Sequence, residues 1–259
     1  MSRRLIRACF FDAVWTLIKP SPPSPVLYAE MAGRFGIQAE PAALGRALKA
    51  SWAPKWEAKR AVTRVSGTHD ALEKTWWRAV VLDAFALATG APCSEECFEA
   101  IFAAYATAEA WALVPGAIET LQVLRSHGVT TGLISNYDSR LEGVLDAFAL
   151  RPLLDVIAYS SAVGWEKPDP QIFAFARETA GVAAGECMHV GDDAESDVGG
   201  ALAAGFQALW FVGGGSSALH DAETLAASPA PVIRELREVG AVVLSGIAVV
   251  PRALGRGRG

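Results

Sequence analysis

Leu5-Ile6-Arg7-Ala8-Cys9-Phe10-Phe11-Asp12-Ala13-Val14-Trp15-Thr16-Leu17 opens with an apolar run that stops abruptly at an acid. A short run that is apolar at nearly every position suits a strand buried on both faces, the habit of parallel sheets. In open parallel sheets, ligands and chemistry collect beyond the carboxyl ends of the strands. Asp12 stands at such an end.

From Pro115 onward the pattern alternates. Helical spacing over 115–127 precedes a strand at 129–134, helix 139–147 precedes strand 156–159, helix 170–179 precedes strand 187–190, and helix 195–204 precedes strand 207–212. A last helix near 231–239 and a strand at 241–244 close the series. Such alternation predicts an α/β fold, a Rossmann-like parallel sheet covered by helices on both faces. Between the first strand and Pro115 the composition changes. Pro20, Pro22, Pro23 and Pro25 lead into an Ala-rich stretch with apolar residues at three-and-four spacing and almost no strand pattern. Helices are predicted there at 26–36, 41–60, 69–89 and 94–110. Residues 20–111 therefore read as an inserted all-helical cap domain, residues 1–19 and 112–246 as the core domain, and the Gly-rich residues 247–259 as a disordered tail. The insertion carries Trp52, Trp56, Trp76, Trp77 and Trp111, which are assigned to packing among helices rather than to a ligand cage.

Composition excludes several classes. Of 259 residues, 52% are hydrophobic and 20% charged, which is a globular make-up and not that of a disordered, collagen-like or disulfide-scaffold chain. A net charge of −5 without a basic block argues against nucleic acid or an anionic membrane as partner, since both need clustered Lys and Arg. A small-molecule substrate is expected instead, with monomer and dimer both open. The apolar stretch 241–250 is too short to span a bilayer. Cys9, Cys93, Cys97 and Cys187 are scattered, as are His69, His127, His189 and His220, so no zinc spacing emerges. No apolar signal segment precedes Asp12, and the expected location is the cytoplasm.

Four strand ends deliver polar residues of a definite kind: Asp12 with Thr16; Ser135 with Asn136; Lys167; and Asp192, Asp193 and Asp197. Singly, these are helix caps, a turn and a surface charge. Together, in order at the sheet edges, they describe a site. Two carboxylates about 4 Å apart repel by roughly 4 kcal/mol at an effective dielectric near 20, so Asp12 facing Asp192 calls for a cation. Mg²⁺ prefers one or two carboxylates together with waters and phosphate oxygens. Lys167 and the Ser135 hydroxyl then supply donors for an anionic group, and the set describes a metal-assisted carboxylate nucleophile. His189, on a buried strand, reads as a satisfied core histidine.

These residues resemble the motifs of the haloacid dehalogenase superfamily. Phe10-Phe11-Asp12-Ala13-Val14-Trp15-Thr16-Leu17 is similar to its first motif, Leu133-Ile134-Ser135-Asn136 to its second, Lys167-Pro168 to its third and Gly191-Asp192-Asp193-Ala194-Glu195-Ser196-Asp197 to its fourth. The helical insertion looks like that superfamily's type 1 cap. The resemblance implies Asp12 as nucleophile, with Mg²⁺ held by Asp12, the Val14 carbonyl and Asp192. It implies Asp197 or Asp193 orienting metal-bound water. It also implies that Ser135 and Lys167 bind the transferred group, with Asn136, Thr16 and Trp15 beside the substrate.

One departure matters. Phosphatases of this superfamily carry a second Asp two residues after the nucleophile, where this chain has Val14. Valine has no proton to give, and general acid–base help is typically worth about 10²–10⁴ in rate. An Mg²⁺-dependent phosphatase of this kind is expected to be weak, or to act on a substrate whose leaving group needs no protonation, such as an acyl or aryl phosphate. The dehalogenases share the loss and resemble Asp12-Ala13-Val14-Trp15, but they work without metal, lack the acidic fourth motif and use a cap arginine for halide. Arg46 or Arg34 is the candidate for that role. A third reading is a binding protein that keeps the pocket for a phosphorylated ligand and turns nothing over. Trp15 either packs or stacks on substrate, and Trp165 either frames the same opening or does not.

Overall fold

Strand β1 (Ala8–Phe11) is buried at all four positions. Neighbouring side chains point to opposite faces, so Phe11 enters one hydrophobic core and Phe10 the other. Both faces are covered, which is why the run is apolar without alternation. The structure, a computed structural model, describes residues 5–215 and 222–245. The tail expected at 247–259 lies outside the described residues.

After β1 come β2 (Ile18–Pro20) and four helices: α1 (Ser24–Gly33), α2 (Pro41–Ser66), α3 (Asp70–Thr89) and α4 (Glu95–Ala104). Ser94 caps α4 by accepting from the Cys97 N–H, and His69 caps α3 by accepting from Leu72 N–H. Helix α2 passes its expected end at 60 with Pro54 in its interior. Helix α4 stops short of 110, and a single 3₁₀ turn (Ala108–Ala110) fills the remainder. Strand β3 (Trp111–Leu113) then pairs antiparallel with β2, Ile18 opposite Leu113 and Pro20 opposite Trp111. The chain thus leaves the sheet layer and returns to it through one short ribbon. Strands of three residues show too little period to be read from sequence.

The remaining elements alternate as expected: α5 (Ala117–Ser126), β4 (Thr130–Ser135), α6 (Arg140–Ala147), β5 (Val156–Tyr159), α7 (Ser160–Val163), α8 (Pro170–Ala180) and β6 (Cys187–Gly191). A π-helical turn (Ala194–Gly199) runs into α9 (Gly200–Ala203), followed by β7 (Gln207–Phe211), α10 (Ala222–Ala226), β8 (Val232–Ile233) and α11 (Arg237–Leu244). Among the described residues the main sheet has six parallel strands in the order β5-β4-β1-β6-β7-β8. The order switches direction at β1, with β4 on one side and β6 on the other. The crevice beyond that switch point is where ligands bind in sheets of this kind, and Asp12 sits in it.

The C-terminal pair is the reverse of the expectation. A strand, β8, occupies 232–233 and a helix occupies 237–244, where a helix near 231–239 and a strand at 241–244 had been expected. A short apolar run such as 241–244 is ambiguous between strand and helix. Burial of Val239, Gly240 and Val243 at helical spacing, against α5, resolves it. The helix expected at 195–204 is interrupted, because Asp193 caps the π-helical turn from its side chain. Among the described residues no helix is long and apolar enough to cross a membrane.

Candidate active site

Lys167 is the centre of the polar cluster at the sheet edge. Its Nζ donates to Asp12 Oδ1 at 2.6 Å and to Asp197 Oδ1 at 2.5 Å, with the lysine and Asp197 side chains each 2% exposed. His189 Nε2 is 2.8 Å from the same Asp197 oxygen, and Asp197 Oδ2 accepts the Asp193 N–H at 3.0 Å. Burial pushes the Asp12 carboxyl up, Lys167 pulls it down and Asp197 adds to the rise, so its pKa lies above the usual carboxylate value. Burial opposes the charge on Asp197 too, but Lys167 and His189 hold it well below that value. Burial likewise works against the Lys167 ammonium, and Asp12 with Asp197 more than restores it. Burial lowers His189 despite Asp197, and because a carboxylate oxygen only accepts, Nε2 is the donor in this contact. The satisfied core histidine of the sequence reading is therefore satisfied on one nitrogen only; Nδ1 has no partner among the described residues.

Asp12, Asp192 and Asp197 each offer a carboxylate oxygen within 4.8 Å of the others. Two of the three, Asp12 and Asp197, share the Lys167 ammonium, and the donors are hard oxygens, a set that suits Mg²⁺ rather than a thiophilic metal. Asp193 is turned elsewhere. Its Oδ1 accepts from Glu195 N–H, Ser196 N–H and the Ser196 hydroxyl, a cap for the π-helical turn.

The other expected residues fall in two groups. Ser135, Asn136, Val14 and Trp15 line the cavity above Asp12. Asn136 also clamps Lys167 by its main chain: Nδ2 donates to the Lys167 carbonyl at 2.9 Å and Oδ1 accepts the Lys167 N–H at 2.6 Å. Thr16 is fully buried outside the cavity lining, and its hydroxyl has no partner among the described residues. Trp15 adopts φ 64°, a left-handed conformation uncommon for a bulky residue. Its carbonyl oxygen lies where a Cβ on Gly214 would come within 1.6 Å, so only glycine fits opposite it.

The cavity, about 420 Å³, lies between this cluster and the inserted helices. Trp52, Trp56, Trp76, Trp77 and Trp111 all line it, which corrects their assignment to packing alone. Trp52, for instance, is 38% exposed. A helix that meets a cleft presents apolar residues there with the same spacing that it uses against a core. Behind the rings, buried Lys59 stands 2.6 Å from both Glu73 and Glu166, and Thr68 and Thr63 donate to those two carboxylates. Arg140 forms a fork on Asp138, with Nε and Nη2 each at 2.8 Å, and its guanidinium lies 3.6 Å from the Phe102 ring centre. Neither Arg34 nor Arg46 lines the cavity, and Arg34 pairs with Glu109 at the surface, so the halide role proposed for them has no support in this geometry. Trp165 borders a separate recess with Arg60 and Arg64 and does not frame the main opening.

A family model of haloacid dehalogenase-like hydrolases matches residues 6–205. The chain belongs to that family. The human haloacid dehalogenase-like hydrolase domain-containing protein 3 is 32% identical over 220 residues, covering 82% of this chain and 85% of that protein. Among solved structures, the L-2-haloacid dehalogenase RSc1362 superposes with a TM-score of 0.72 at 23% identity, covering 93% of this chain and 99% of that one. A phosphatase of the family from Thermococcus onnurineus superposes at 0.61 and 22% identity, covering 94% and 100%. At these identities the two structures speak for the fold, which dehalogenases and phosphatases share.

Three features of this haloacid dehalogenase-like hydrolase escaped the sequence. Asn136 acts on the lysine's backbone, His189 touches Asp197, and Lys59 reaches across from the inserted helices to Glu166. The Lys59 link joins residues 107 positions apart, and no local spacing announces it. His189 lies eight residues before Asp197, on the strand leading into the fourth motif, and that proximity was the one available signal.

Proposed function

We propose that this hydrolase is a Mg²⁺-dependent phosphatase that uses Asp12 as nucleophile on esters whose leaving group departs without a proton. The observation that carries the reading is the cluster of Asp12, Asp192 and Asp197 at the switch point of the sheet, where Lys167 bridges Asp12 and Asp197. A metal-free dehalogenase has no use for so many like charges. In addition, the cationic side chains Lys59 and Arg140 that line the cavity are already paired with carboxylates. Residues 20–111 act as the cap over the core formed by 1–19 and 112–246.

Asp12 and Asp192, with the Val14 carbonyl, would hold the ion, and Asp197 would support them from behind, since both its oxygens accept protein donors. When bound, the ion neutralises phosphoryl charge and lets an anionic nucleophile approach it. Lys167 grips Asp12 Oδ1, which directs Oδ2 to the phosphorus. The P–O bond to the leaving group breaks with its electron pair on that oxygen, and an acyl phosphate forms on Asp12. Lys167 and Ser135 face the transferred group. Water then attacks the phosphorus, the P–O bond to Asp12 breaks and its pair returns to the carboxylate. The water proton passes to the phosphate product or to solvent. Val14 supplies no acid for the first step.

Release of nitrophenol from its phosphate ester tests this. Turnover that needs Mg²⁺ and disappears in Asp12→Asn is the expected result. Chloride release from 2-chloropropionate without metal would instead support dehalogenation. Phosphate-analogue binding without turnover would support a binding protein.

A further inference from the structure

The wall of the cavity facing Asp12 is built of rings. Trp52 meets Trp76 edge-on with centroids 4.7 Å apart and Trp77 at 5.2 Å, and it stacks on Trp56 at 6.0 Å. The indole N–H groups of Trp76 and Trp111 are turned into the backbone, donating to the carbonyls of Lys55 and Tyr105. The charges sharing this wall are closed pairs: Lys59 lies between Glu73 and Glu166, and Arg140 is forked on Asp138. Away from the sheet-edge cluster, a ligand meets mostly aromatic surface and ion pairs that are already satisfied, with Ser24 and the hydroxyls of Tyr28 and Tyr105 as the polar exceptions. A polyol placed against the indoles would lose more hydration than those few hydroxyls return. A flat ring gains edge-to-face and stacked contacts.

We infer that the leaving group is aromatic and that the substrate class is an aryl phosphate monoester. The inference rests on the phosphatase reading above and narrows it. Two independent features converge on it. Val14 cannot protonate the departing oxygen, which favours an oxygen stable as an anion. A phenol ionises near pH 10, as tyrosine does, whereas water ionises only near about 16. An acyl phosphate meets that requirement equally well, and the ring-lined cavity separates the two. In the step itself the P–O bond to the aryl oxygen breaks, the pair stays there as an aryloxide, and the aryloxide takes a proton from water at the cavity mouth. Phosphorus passes to Asp12 as already described.

The test uses the whole chain with Mg²⁺ and four substrates, the esters phenyl phosphate, glycerol phosphate and a nucleoside 5′-monophosphate and the anhydride acetyl phosphate. The nucleotide has a ring but an alkyl leaving oxygen. Phenyl phosphate is expected to show a KM at least tenfold below that of acetyl phosphate and a kcat at least tenfold above those of the two alkyl esters. Trp52 is part-exposed, so Trp52→Ala should fold, and it should raise KM for phenyl phosphate at least tenfold more than for acetyl phosphate. Binding is read separately, by tryptophan fluorescence of Asp12→Asn. Phenylphosphonate should bind at least tenfold more tightly than methylphosphonate. Hydrolysis of all four substrates without aryl preference, or best hydrolysis of the nucleotide, overturns this inference and leaves the phosphatase reading standing. Silence on every substrate, with neither phosphonate bound, removes both.

Discussion

Lys59 Nζ, on α2 of the inserted helices, stands 2.6 Å from the carboxylate of Glu166, the residue preceding the lysine that grips Asp12. The same ammonium holds Glu73 of α3, and all three side chains are at most 7% exposed. The link ties the inserted helices directly to the loop that positions Lys167.

Lys59→Met removes the one cation between two buried carboxylates. Breaking a buried pair in this way costs about 3–5 kcal/mol, and urea unfolding should show a loss of that size. The triple variant Lys59→Met, Glu73→Gln, Glu166→Gln should recover most of it. Equal instability of the two variants would show that packing, not charge, holds this junction.

Val14→Asp restores a carboxyl two residues after the nucleophile, on a side chain that lines the cavity. General acid help of about 10²–10⁴ should appear as at least a tenfold rise in kcat for alkyl phosphates, with little change for aryl ones. A rate that does not rise for alkyl esters would count against the assigned role of this position.

Gly191→Ala would place a Cβ 2.2 Å from Asp197 Cγ, inside the carboxylate that shares Lys167 with Asp12. Overpacking of this sort costs about 1–3 kcal/mol. The melting temperature should drop and kcat should fall more sharply than KM changes, because Lys167 loses its seat. Wild-type kinetics in this variant would mean that the triad tolerates displacement.

Much of this was legible in the sequence, for identifiable reasons. The sheet could be read because buried parallel strands are apolar at every position, as in β1, and because each strand end carries its polar residue within a few positions. Asp12, Ser135, Asn136, Lys167, Asp192 and Asp197 all fall beside one crevice for that reason. What stayed hidden depends on contacts between distant segments. The Trp residues carry the same helical spacing whether they face a core or a cleft. Lys59–Glu166 and Asp70–Ser161 join segments that no local period connects. The C-terminal helix reads as a strand in the sequence because its four apolar residues at 241–244 fit either period.

Acid should loosen the same junction. Burial works to raise Asp70, but the Ser139 N–H at 3.0 Å and the Ser161 hydroxyl at 2.5 Å hold its carboxyl below the usual range. A folded-state pKa below the unfolded value, about 3.9 for Asp, contributes stability that is fully present above that pH. It is lost as pH falls through the folded value. Urea midpoints of the wild type and Asp70→Asn should therefore differ at pH 7, begin to converge as pH falls below about 4, the unfolded value, and meet only below the folded-state pKa. A constant difference across that range would exclude this carboxylate as the source.

Covalent trapping addresses the nucleophile itself. The protein is mixed with phenyl phosphate and Mg²⁺, quenched in acid within the first turnover and digested for mass spectrometry. One phosphoryl group is expected on the peptide carrying Asp12, absent when EDTA is present and absent in Asp12→Asn. Steady release of phenol with no label on Asp12, or with label on another side chain, would contradict the account.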